Sequence, residues 1–220
     1  SFYERELGKI DLSSLQPSWM LFSDGFKYSK RSLWAKRIFD LLLSTSAVLV
    51  LAIPLFLAFL VVRLTSAGPA LYWSDRVGRH NRIFKMPKFR SMRIDTPALA
   101  THLLQNPEQW LTPIGSFLRK SSLDELPQLW SVLVGDMSFV GPRPALYNQE
   151  DLIAMRTERG VEVLVPGITG WAQVNGRDEL DLPEKVNLDA QYLQKQSTSF
   201  DFYILFLTVL KVFRREGVSH

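Results

Sequence analysis

The side chains best able to do chemistry crowd into Leu118–Pro144, LRKSSLDELPQLWSVLVGDMSFVGPRP. Two adjacent carboxylates, Asp124 and Glu125, follow Arg119 and Lys120, and Arg143 stands between two prolines. An ionised Asp can attack phosphorus when a cation neutralises the phosphate oxygens that would repel it. Arginine binds phosphate through paired N–H donors, and a turn stiffened by Pro142 and Pro144 lowers the entropy lost in holding it there. One reading is therefore a phosphate-handling site, with Mg2+ or Mn2+ held by Asp124 and Glu125. The other is that the acids cap a helix and Arg143 lies in a solvated turn. Pattern alone leaves both open.

The elements around these residues must position them. Ser122 with Glu125 fits an S-x-x-E capping box, and Pro127 is tolerated only in a first turn, so a helix is expected over Ser122–Val134. The two acids would then sit at its N-terminus, where unpaired N–H groups favour carboxylate ionisation and can also hold phosphate. Gly135-Asp136 and Gly141–Pro144 read as tight turns. Further helical signals cover Pro97–Gln105, Pro113–Arg119, Asn148–Arg159 and Pro183–Gln194. The segments ALYWSDRVG and RIFKMPKFRSM alternate polar with apolar residues and should form a small β-element around Gly78–Asn81. Pro87 would lie on an edge strand or end it.

The chain has 220 residues, 46% hydrophobic and 12% aromatic. That composition excludes disorder as the main state. Cysteine is absent, which excludes a disulfide framework, thiolate metal sites and cysteine catalysis. His80, His102 and His220 are scattered and receive no role. The net charge of +4 hides an asymmetry: residues 27–93 carry 13 basic residues against Asp40 and Asp75. Such a block suits an anionic partner. Inside it, Leu41–Val62 runs 22 residues without a charge, long enough to match about 30 Å of hydrocarbon. Pro54 should break that run, and both flanks are basic, which favours one membrane side for both ends. A re-entrant helix–break–helix hairpin satisfies these demands better than a crossing or a buried core helix. Phe202–Val209, continuing to Arg215, is too short to cross and reads as an interfacial or core-packed helix. Nucleic-acid binding is disfavoured because the block surrounds an apolar run and lacks a binding motif. Trp110, Trp130 and Trp171 are read as core or interfacial anchors rather than stacking platforms.

Taken with KRIFDLLL (36–43), KFRSMR (88–93) and PGITGWAQVNGR (166–177), the Leu118–Pro144 stretch resembles the bacterial sugar transferases. These are monotopic phosphoglycosyl transferases that begin glycan assembly on a polyprenol phosphate, and the resemblance spans roughly residues 31–220. It implies an α+β, mostly α fold: an N-terminal linker (1–30), a re-entrant membrane hairpin (31–66) broken at Pro54, and a catalytic domain (67–220) on the cytoplasmic face of the bacterial inner membrane. It also implies transfer of a sugar-1-phosphate from a UDP-sugar to undecaprenyl phosphate, with Asp124 as nucleophile in a ping-pong cycle. Glu125 would hold Mg2+ or orient or activate the lipid phosphate; Arg119 and Arg143 would organise the site or contact phosphate. Arg177 would bind substrate, and Asp189 would pair with a site arginine. Arg37 and Asp40 match residues near the hairpin base. Ile53 stands where Ser is frequent before the break, and Ser131 and Val134 where Asn and Lys are frequent. Residues 1–30 could mediate a homodimer. The alternative is a non-enzymatic adaptor that holds anionic membrane lipids through the basic block.

Overall fold

The computed structural model describes residues 30–97, 106–176 and 180–214. All of the expected helix at Pro97–Gln105 but its first residue, together with His102 and Arg177, lies outside the described residues. The described residues from Arg31 onward form one compact unit.

The uncharged run folds as two helices, α1 (Lys30–Val50) and α2 (Ala52–Thr65), bent by 63°. The break lies at Leu51, not at Pro54 as the sequence suggests. Proline cannot answer the carbonyl four residues back, and its ring clashes with it. Restarting the helix at Ala52 puts Pro54 in the first turn, where an N–H has no intrahelical partner in any case. Leu51 N–H still reaches the Ala47 carbonyl and Leu55 N–H the Leu51 carbonyl, both at 2.8 Å, so helical bonds reach Leu51 from both sides of the break. Among the described residues no single helix is long and apolar enough to cross a membrane; the bent pair together is, by length and composition.

Strands β1 (Leu71–Val77) and β2 (Ile83–Phe89) pair antiparallel, from Leu71 opposite Phe89 to Val77 opposite Ile83. Pro87 sits mid-strand opposite Trp73, which is allowed because each strand of a two-stranded sheet has an open side. The connecting turn places His80 and Asn81 at positive φ.

The segment Ser122–Val134 departs most from expectation. Ser122 is left-handed (φ 55°) and its side chain caps nothing; Leu123–Gln128 forms a 3-10 turn, and only Leu129–Val134 is α-helical (α4), after the short helix α3 (Gly115–Lys120). Pro127 explains this, since an α-helix through it would lack an N–H toward Leu123. Asp124 and Glu125 therefore occupy a tight turn between two helices, not an α-helix N-terminus.

A second pairing, not anticipated from the sequence, joins β3 (Ser138–Val140) to β4 (Gly167–Thr169) in parallel. Three-residue strands are too short to show a period of two. Gly141 and Gly167 touch backbone to backbone, and a Cβ on either would collide with the other segment. Helices α5 (Glu150–Glu158), α6 (Trp171–Asn175), α7 (Leu182–Lys195) and α8 (Thr198–Arg214) complete the unit. Asp181 caps α7 by accepting the Glu184 N–H at 2.8 Å.

Two apolar clusters support the site. Ala58 and Val62 of α2 pack with Ala70, Phe89 and Leu118. Val140, Val161, Leu164, Val174, Tyr192 and Ile204 form the other. Helix α8 buries Ile204 but leaves Phe202, Phe206 and Val209 exposed. Leu118 is 1% exposed and immediately precedes Arg119. Leu118→Ala is expected to cost about 2–5 kcal/mol, measured by urea unfolding; a loss below about 1 kcal/mol would mean the cluster does not brace the site.

Candidate active site

Three separate parts of the chain meet at Glu125. Strand β2 supplies Lys88, whose Nζ donates to Glu125 Oε1 at 2.7 Å. The 141–144 loop supplies Arg143, whose Nη2 donates to the same oxygen at 2.8 Å. Burial alone would raise the Glu125 pKa, but the charges and hydrogen bonds of Arg143 and Lys88 outweigh it and hold the carboxyl well below the usual range. Glu125 is thus a permanent anion and a poor proton acceptor.

Asp124, next in the turn, is 8% exposed. Its pKa is raised, first by burial and then by Glu125, against the pull of Lys88 and Arg119. Arg119, at the end of α3, donates through Nε to Ser91 Oγ at 3.2 Å. Arg76 of β1 lies on the same hairpin face as Lys88 and reaches Ser74 Oγ at 3.1 Å and the Pro144 carbonyl at 3.3 Å. Its pKa falls to about 10, chiefly through burial and then through the charge of Arg143. Burial likewise lowers the Lys88 pKa. Four cations thus surround two carboxylates, leaving the site with excess positive charge. An anion carrying about two charges would balance it.

The loop bearing Arg143 is held from behind. Gly141 N–H donates to the Thr169 carbonyl and Gly167 N–H to the Pro142 carbonyl, both at 2.9 Å. Arg156 of α5 donates through Nη1 to the Arg143 carbonyl at 2.9 Å. Its Nε and Nη2 grip Asp189 Oδ2 at 3.0 and 2.7 Å. Asp189 is 1% exposed and meets Arg156, so it stands behind the loop and not at the carboxylate pair. The site brings together Asp124, Glu125, Arg119 and Arg143, while Pro54 belongs to α2. Sequence reasoning passed over Lys88, Arg76 and Arg156. The KFRSMR motif signalled Lys88, but a single lysine inside an alternating strand looks like any solvated one.

No group of three His, Cys, Asp or Glu side chains comes together among the described residues. Two neighbouring carboxylates, one already bound to two cations, do not form a self-sufficient cage. They do suit Mg2+ arriving with phosphate ligands, since that ion ordinarily takes one or two carboxylates and completes its shell from substrate and water.

The bacterial sugar transferase family matches residues 31–215. This chain belongs to that family. A relative from Salmonella typhimurium, an undecaprenyl-phosphate galactose phosphotransferase, is 36% identical over 203 residues, covering 86% of this chain and 42% of its own length. The UDP-glucose:undecaprenyl-phosphate glucose-1-phosphate transferase of Escherichia coli is 40% identical over 186 residues, 81% of this chain and 40% of that protein. EpsL of Bacillus subtilis, an uncharacterized sugar transferase, is 40% identical over 184 residues, which is 84% of this chain and 90% of EpsL. The chain therefore spans about two fifths of the first and second of these relatives and most of the third.

The two carboxylates of this family member should respond oppositely to pH. The folded state binds a proton on Asp124 more tightly than the unfolded chain, so this group's contribution falls as pH rises through its raised pKa. Asp124→Asn is expected to melt above the parent at pH 7. For Glu125 the stabilisation is complete above the ordinary carboxylate range and is lost as pH falls. Glu125→Gln should cost roughly 1–3 kcal/mol at pH 7, with the gap to the parent narrowing below about pH 4. Melting curves from pH 3 to 8 test both signs.

Proposed function

We propose that this chain transfers a sugar-1-phosphate from a UDP-sugar to undecaprenyl phosphate and releases UMP. The observation that carries the reading is a buried Asp beside an anchored Glu, ringed by four cations. The names of the Salmonella and Escherichia coli relatives supply the substrate class.

In this reading Asp124 attacks the phosphorus that carries the sugar. The bond from that phosphorus to the bridging oxygen breaks, UMP leaves with the electron pair, and an aspartyl-phosphosugar remains. An oxygen of undecaprenyl phosphate then attacks the same phosphorus and displaces Asp124, giving a polyprenyl diphosphate sugar. Neither displacement requires a proton from the protein. Burial strips solvent from Asp124 and so favours its use as a nucleophile. Arg143, Lys88 and Arg119 neutralise charge on the phosphoryl oxygens, and fixed donors cost no reorganisation at the moment of transfer. Glu125, locked as an anion between two cations, orients those cations and helps hold metal; its depressed pKa argues against a role as general base. Mg2+ or Mn2+, held by Asp124 and Glu125, would supply further charge neutralisation on the diphosphate. Arg177 would bind the donor.

The acceptor's phosphate lies at a membrane surface, and the α1–α2 pair supplies a means of reaching it. Leu42, Leu49, Val50, Ile53, Phe56 and Leu64 are exposed on the pair, an apolar surface of the kind that marks membrane contact. We read the pair as a re-entrant hairpin of a monotopic inner-membrane protein, with α8 at the interface and the site on the cytoplasmic side. Basic residues at the base of the hairpin would favour anionic headgroups by about 1 kcal/mol each. A lipid-binding adaptor would need no buried Asp among cations.

Incubating the parent with donor labelled in the sugar, without lipid acceptor, should leave an acid-stable label on the Asp124 peptide. Asp124→Asn should form no adduct and lose at least about 10³-fold in UMP release. Parent-like turnover in that variant would falsify the nucleophile assignment. Cysteine is absent from the chain, so single cysteines at the exposed Ala35 and Ala67 report topology directly. Both should react with an impermeant reagent from the cytoplasmic side only; labelling from opposite sides would establish a crossing.

A further inference from the structure

Helix α1 carries a polar face that does something other than meet lipid. Arg37 donates through Nη1 to the Val132 carbonyl at 2.6 Å and through Nη2 to the Leu133 carbonyl at 2.7 Å. These are last-turn carbonyls of α4, which no residue further along that helix can satisfy. One helical turn along α1, Asp40 Oδ1 accepts the Phe139 N–H at 3.1 Å. Lys36 donates to the Val140 carbonyl at 2.9 Å and to Asp201 Oδ2 at 2.6 Å. Asp201 also accepts the Tyr192 hydroxyl at 2.7 Å. Asp40 is 3% exposed.

Every backbone group gripped this way lies between residues 132 and 140. That segment joins the carboxylate turn (Asp124, Glu125) to the loop that presents Arg143. Its two ends are held by residues four or fewer apart on a single helix. Between them, Gly135 turns the chain at φ 99° and lies within 3.4 Å of the Arg37 guanidinium when a Cβ is placed on it. The stretch is thus held by α1 on one side and by the β3–β4 pairing on the other.

We infer that Arg37 and Asp40 are positioning residues that set the distance between the two halves of the phosphate site, so that the hairpin is a structural part of the active site as well as a membrane contact. The inference rests on the transferase reading given above. It accounts for why charged residues interrupt the start of an otherwise apolar helical pair. It also means that a force which tilts α1 relative to the domain would move Arg143 relative to Asp124. A misplacement of about 1 Å can cost ~10²-fold in rate.

The test compares Asp40→Ala with Asp40→Asn in full-length protein in detergent, following UMP release from a UDP-sugar that the parent uses. Asn keeps an oxygen for the Phe139 N–H, whereas Ala does not. The expected result is a fall in kcat of about tenfold or more for Asp40→Ala with donor KM within about twofold, and near-parent turnover for Asp40→Asn. Amide exchange at 136–140 should quicken in Asp40→Ala alone. Equal kcat for Asp40→Ala and the parent, or equal losses in the two variants, overturns the inference. Should Asp40→Ala fail to fold, Arg37→Lys carries the same comparison: an ammonium lacks the planar fork that fixes the two carbonyls relative to each other, so kcat should fall while the melting temperature stays near the parent's, and unchanged kcat overturns the idea. A parent that releases no UMP from any UDP-sugar instead overturns the transferase reading, a result separate from either variant outcome.

Discussion

One carboxylate oxygen holds this site together. Glu125 Oε1 receives Lys88 from a strand 37 residues upstream and Arg143 from a loop 18 residues downstream. Two positive charges could not be buried side by side without an anion between them. Glu125 therefore determines where both cations stand, and with them the positive charge that the site presents. Asp124 benefits by adjacency: the same turn that anchors Glu125 buries its neighbour without neutralising it. Two carboxylates with the same chemistry thus acquire opposite characters, one pinned as an anion and one made costly to ionise.

The rest of the domain keeps the two cations where Glu125 needs them. The β1–β2 hairpin places Lys88 and Arg76 on one face. The β3–β4 ladder, Arg156 and Arg76 fix the loop of Arg143 through its backbone carbonyls and N–H groups. The Arg156–Asp189 pair illustrates the logic. Burial pushes the Asp189 pKa up while Arg156 pulls against it, so the pair is an expensive way to gain stability. Its return is geometric, because the same guanidinium also holds the Arg143 carbonyl. The tight crossing of Gly141 over Gly167 serves that geometry as well, since any side chain there would lift the loop away from its support.

The helical pair has two unlike faces. Ser44, Asp40 and Val62 are buried against the domain, while Leu42, Leu49 and Ile53 face outward. Ser44 satisfies its hydroxyl within the helix by donating to the Asp40 carbonyl at 2.7 Å. A helix that had only to enter lipid would not need a charged row buried in protein. A helix that had only to pack in a core would not leave so many large apolar side chains outside it.

Much of this was legible from residue types alone. The uncharged run between basic flanks, the adjacent acids, the proline-bracketed arginine and the hairpin around Gly78–Asn81 are local patterns, and local physics reads them. The α7 helix, expected over Pro183–Gln194, was legible for the same reason, whereas its Asp181 cap emerged only in the structure. Where propensities competed, the sequence misled: the capping box at Ser122 lost to Pro127, which turned the expected helix into a 3-10 turn, and the break moved from Pro54 to Leu51 because a helix restarts best with proline in its first turn. Lys88, Arg76 and Arg156 could not be distinguished from other basic residues, since what separates them is which partner lies across the fold. The sequence by itself determined the chemical inventory and the amphipathic layout, because these depend on neighbours along the chain. Only the tertiary structure decided which cations converge on Glu125 and why Asp124 is buried, because charge and desolvation act through space between segments that the chain order keeps apart.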